Sequence, residues 1–150
     1  MSPLNVLAGV FATLLVFAVG AYTNSDNSIA EASIRPAVIR LVAVDQEVHG
    51  KSVDPNDHQV FTQTILGSSG NIIGNSYSVC IKIRRNVSVC SGIYILPKGK
   101  ITYYGSRQNR LRYSMVVTGG SGVYQGAGGK IDSIVFGFFP FREKITVHLI

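Results

Sequence analysis

Beyond residue 36, hydrophobic positions recur at every second residue or in short unbroken runs, never at helical spacing. Val38 to Val44 is apolar except for Arg40 and rich in β-branched residues, which predicts a first strand. Gly50 to His58, with Asp54, Pro55, Asn56 and Asp57, reads as a loop. Val60 to Leu66 forms a second strand, closed by Gly67-Ser68-Ser69-Gly70. Tyr77 to Arg84 alternates cleanly: Tyr77, Val79, Ile81 and Ile83 point one way, Ser78, Cys80, Lys82 and Arg84 the other. This alternation predicts Cys80 on the outer face. Further strands follow at 87–96, 100–104, 111–118, 130–138 and 143–150, separated by Gly- and Pro-bearing turns. Eight short strands without an amphipathic helix suit an all-β chain. The expected form is an eight-stranded antiparallel up-and-down barrel, with a sandwich as the alternative.

The N-terminus breaks this pattern. The first 25 residues carry no charged side chain, and Val6 to Ala21 is almost wholly apolar. That run is shorter than the roughly 20 residues of a spanning helix. Ala18, Gly20 and Ala21 supply small residues at its end, which favours a cleaved signal peptide over residues 1–21. The absence of Lys or Arg before the run departs from that type and keeps an uncleaved membrane anchor as the alternative. Residues 22–36 read as a polar linker and 37–150 as the barrel domain. The expected location is secreted or periplasmic, with membrane contact only through an uncleaved leader.

Charge adds a second asymmetry. Residues 1–70 hold three basic and six acidic side chains and residues 71–150 hold eleven and two, giving the net +6. The basic residues are scattered singly, without the aromatic interleaving of an RNA-binding sheet. A solvated basic face is expected, with no nucleic-acid partner.

Candidate chemistry is sparse. A hairpin turning about Arg85 places Cys80 opposite Cys90, within disulfide range; two free cysteines on a sheet are the alternative. His49, His58 and His148 show no zinc-ligand spacing and no adjoining nucleophile elbow. No metal or cofactor is expected. Asp45 and Glu47 would share a face if the first strand extends to them, which could serve acid–base work or mean only a solvated strand end. Six glycines lie between positions 119 and 129. No helix follows them and no Gly-Lys-Ser/Thr occurs, so they predict a turn and not a phosphate cradle. Tyr77, Tyr94, Tyr103, Tyr104, Tyr113 and Tyr124 lie on or beside strands, where their rings suit either a core or a cavity wall.

Met115-Val-Val-Thr118-Gly119-Gly120-Ser-Gly122-Val-Tyr124-Gln-Gly126-Ala127 resembles the turn signature of the allene oxide cyclase and dirigent barrel superfamily. The resemblance covers about residues 38–150 in order and spacing. Leu96-Pro97 to Ile101-Thr102 and Cys90 look most like the exported bacterial members. It implies an allene-oxide-cyclase-like barrel with a hydrophobic cavity that holds a reactive molecule in one conformer. Family members are often dimers or trimers, so a homo-oligomer is expected. The plant cyclase's first-strand acid and asparagine fall on Arg40 and Val42, its cavity cysteine on Cys80, and a dirigent arginine on Gly128. What carries over is scaffold.

Two functions fit. One is a dirigent-like protein that binds an apolar or phenolic molecule. The other is a cofactor-free isomerase or cyclase acting on an unsaturated lipid or polyketide-type substrate. Arg40, Gln63, Tyr77, Tyr103, Tyr113 and His148 are the cavity candidates, and no catalytic residue is assigned.

Overall fold

The computed structural model describes residues 37–150 apart from positions 52 and 109; the expected leader and linker lie outside the described residues. The strands are β1 (Ala37–Gly50), β2 (His58–Leu66), β3 (Ile72–Arg84), β4 (Val87–Leu96), β5 (Gly99–Gln108), β6 (Arg112–Gly122), β7 (Gly129–Phe138) and β8 (Phe141–Leu149). Each is antiparallel to its sequence neighbours, and β1 pairs with β8 to close the barrel. Closure satisfies both edges of the sheet, which would otherwise template aggregation.

Alternation sets the lumen. On β8, Glu143, Ile145, Val147 and Leu149 are buried while Arg142 and Lys144 face solvent. Leu41, Ile65, Ile101, Ile131, Ile145 and Val147 fill one half of the barrel, each at most 2% exposed. Burying each such side chain contributes roughly 1.5–3 kcal/mol, so this half is the stabilising core. Odd strands begin at this end and even strands finish there. The other end is the mouth.

The glycine stretch caps the packed end. β6 continues to Gly122, and residues 123–128 turn into β7. The Val123 amide donates to the Lys98 carbonyl at 3.0 Å, and the Ile150 amide to Gly128 at 3.1 Å. Gly122 sits at φ +63° and Gly129 at +131°; a Cβ on Gly129 would lie 1.9 Å from the His148 carbonyl oxygen. Glycine is required there by conformation and by space.

Two strand expectations need correction. β1 passes beyond Val44 through a bulge at Asp45 (φ +53°) and runs to Gly50. On β3 the faces are the reverse of the expectation. Cys80 and Ser76 are buried, while Tyr77, Val79, Ile81 and Ile83 are exposed. The reason is volume. β3 lies opposite the tyrosines of β4 and β5, and only small inward residues leave room for their rings. Tyr104 and Val116 are likewise exposed on the outer wall.

Candidate ligand site at the barrel mouth

The mouth holds a cup of about 350 Å³, walled by Phe61, Leu111, Val135 and Phe138 with Arg107 and Arg110 among them. That volume is at the small end of the range for small-molecule sites. Arg107 comes from the inward series of β5, following Ile101, Tyr103 and Gly105. Its Cζ lies 5.5 Å from the Phe61 ring centroid and 5.0 Å from that of Tyr113. These rings stand on β2 and β6, so the side chain reaches across the lumen and its cation is held by both π faces. Phe61, Cys80 and Arg107 also wall a smaller chamber of about 20 Å³ that includes Gln63, Tyr113 and Glu143. The chamber is about one water in size. Arg107 and Phe61 therefore partition cup from chamber.

Glu143 is the most buried charge among the described residues. It is 2% exposed because β8 alternation places it on the same face as Ile145 and Val147. The Tyr113 hydroxyl donates to its Oε1, and Gln63 Nε2 donates to its Oε2 at 3.3 Å. A buried carboxylate is tolerated only when hydrogen-bonded, and here both oxygens have donors. Burial, followed by the nearby Glu143 charge, pushes the Tyr113 hydroxyl far above its ordinary value. It stays protonated and acts as a donor.

Two more tyrosines complete the interior. Tyr94 and Tyr103 stack with centroids 4.8 Å apart and planes at 30°. The Tyr103 hydroxyl lies 3.4 Å from Ser76 Oγ. Gly92 makes this possible, since a Cβ there would come within 2.4 Å of the Tyr103 ring. Burial raises both hydroxyls above the ordinary tyrosine range. Ser133, buried and opposite Tyr113 in the ladder, has no hydrogen-bond partner for its hydroxyl among the described residues. Cys80 and Cys90 are paired residues of β3 and β4 and form a disulfide. It faces the lumen, where Cys80 also borders the cup.

Of the six cavity candidates, Gln63, Tyr103 and Tyr113 face the lumen. Arg40, Tyr77 and His148 do not. Arg40 is exposed between the inward Ile39 and Leu41, and Tyr77 is 44% exposed on the outer face. His148 lies outside with its Nε2 3.3 Å from Asp132 Oδ2, a carboxylate that also takes Lys130 Nζ at 2.9 Å and the Ser114 hydroxyl. Thr118 bonds Thr102 on the outer wall at 3.2 Å, and Tyr124 packs against the core near the glycine turn. Asp45 and Glu47 are both exposed, and the bulge breaks their alternation; Glu47 meets His49 at 3.7 Å. Glu143, Arg107 and Phe61 were not singled out by sequence. One signal was present for Glu143: an acid in register with Ile145, Val147 and Leu149.

No family model matches the chain, and no curated protein matches it by sequence. Solved structures do share the barrel. A pyocyanin demethylase superposes with TM-score 0.66 at 21% identity, over 76% of this chain and 100% of its own. An exo-specific intermolecular Diels-Alderase gives 0.63 at 16%, over 76% and 97%. A pterocarpan synthase dirigent protein gives 0.67 at 8%, over 87% and 97%. At these identities the likeness establishes the fold. The chain thus carries the same eight-stranded barrel as these proteins, closed at its glycine-rich end and cupped at its mouth.

Proposed function

We propose that this barrel binds an apolar or phenolic small molecule in the mouth cup and constrains its conformation, as a dirigent-like protein does. The observation that carries the reading is the division of the lumen into a solid half and a walled cup with a polar floor. Phe61, Leu111, Val135 and Phe138 supply shape, while Arg107, and Tyr113 with Glu143 beneath it, supply orientation. Restricting a flexible reactant to one conformer lowers its barrier by removing entropy that would otherwise be lost on the way to the transition state. Neighbours named for a Diels-Alder reaction and for pterocarpan synthesis support a small-molecule role. The disulfide supports a secreted or periplasmic location. The exposed apolar face of β3 supports a homo-oligomer.

The Glu143–Tyr113 contact favours a second reading, a cofactor-free isomerase or cyclase. There the carboxylate takes a proton from an unsaturated substrate and returns it at another atom, while the Tyr113 phenol, no longer needed by the protonated Glu143, turns its one O–H to the developing anion. The test is native mass spectrometry of protein from its own host, beside Val135→Trp, which fills the cup. A small molecule retained by the wild type and absent from the variant is the expected result. Retention by both proteins would place binding elsewhere. For the second reading, turnover lost in Glu143→Gln with binding retained is expected.

A further inference from the structure

The guanidinium of Arg107 is held by two rings but has no hydrogen bond or ion pair among the described residues. It is partly buried at the boundary between cup and chamber. Guanidinium carries five N–H donors in a planar fork shaped for a carboxylate. The obvious internal partner is Glu143, yet no ion pair joins the two, and its oxygens accept from Tyr113 and Gln63 instead. A partly buried fork beside an open cup can accept an anionic group from a ligand.

Charge around the mouth agrees. Among the described residues, Arg107 and Arg110 line the cup and no acid does. Glu143 below leaves the cup and chamber together at +1. Arg84, Arg85 and Arg110 border the adjoining depression, again without an acid. Asp54 and Asp57 belong to the loop before β2, where the Asp57 carboxylate accepts the amides of Val53 and Asp54. A site of this charge attracts one anion and places it on the most enclosed cation.

We propose that the cup takes a planar organic carboxylate whose acid group pairs with the Arg107 fork while its apolar body lies against Phe61, Leu111, Val135 and Phe138. This rests on the proposed cup and narrows its ligand from apolar or phenolic molecules to amphipathic acids. Arg107 is then a specificity-determining residue. It selects the acid over its neutral counterpart and sets which end of the molecule faces Glu143.

The experiment measures binding of matched pairs, aromatic carboxylic acids of one to three rings and their primary alcohols, to the full chain. The acids are expected to bind about ten- to a hundredfold tighter, the worth of one charge-assisted contact, and to weaken with salt. Arg107→Gln is expected to erase the acid–alcohol ratio. Arg107→Lys, which keeps the charge but loses the fork, is expected to restore part of it. The wild-type ratio and its salt dependence stand even if a variant fails to fold. Equal affinity for acid and alcohol at a site blocked by Val135→Trp overturns the anion assignment and leaves the cup standing. Absence of binding by every pair, with no molecule retained in the native mass spectrum, overturns both.

Discussion

Glu143 and the tyrosines around it make distinct demands at the scale of the residue. Glu143→Ala leaves the Tyr113 hydroxyl and the Gln63 amide without their acceptor and is expected to cost about 2–4 kcal/mol. Glu143→Gln keeps one acceptor oxygen and should cost less; chemical denaturation of both variants checks the order. Alkaline pH provides a second test. Burial raises the hydroxyls of Tyr94, Tyr103 and Tyr113 above the ordinary tyrosine value. A folded-state value above the unfolded one means the folded chain binds these protons more tightly. Their contribution to stability is full below pH ~10 and is lost as pH rises beyond it. Phenolate absorbance from these rings should therefore rise together with loss of tertiary structure. Early, non-cooperative titration of all tyrosines would contradict the burial described.

Element by element, legibility followed from which contacts are local. On β8 the alternation of Ile145, Val147 and Leu149 with Arg142 and Lys144 marks the faces, yet His148, expected at the cavity, belongs to the outward set and Glu143 to the inward one. On β3 the same rule inverted the faces, since the outer side carries Tyr77, Val79, Ile81 and Ile83 and the lumen side only small residues. Nothing local distinguishes an outward-facing apolar stripe from a core-facing one. The Cys80–Cys90 register was legible because a hairpin is a short-range device. Replacing both cysteines by alanine should remove about 2–3 kcal/mol, the worth of so short a closed loop. Gly129→Ala should be more damaging than Gly126→Ala. The first drives a Cβ into the His148 carbonyl, while the second meets nothing within 4 Å. Thermal melts of the two variants test that contrast.

For the whole molecule, the barrel divides its labour along its axis. The family-like glycine signature lies at the packed end, so it reports the fold and lies away from the site. The candidate site joins Gln63 of β2 and Glu143 of β8 to Arg107 and Tyr113 of the β5–β6 hairpin, three segments far apart in sequence that only barrel closure brings together. That is why the chain revealed its architecture before its chemistry. The most direct test of this division is methyl NMR of the protein titrated with aromatic acids. Leu111 and Val135 at the mouth should shift, while Ile101, Ile131 and Val147 in the packed half stay unmoved. Shifts confined to Val79, Ile93 and Val116 on the outer wall, or to the packed half, would contradict the assignment of the mouth as the ligand site.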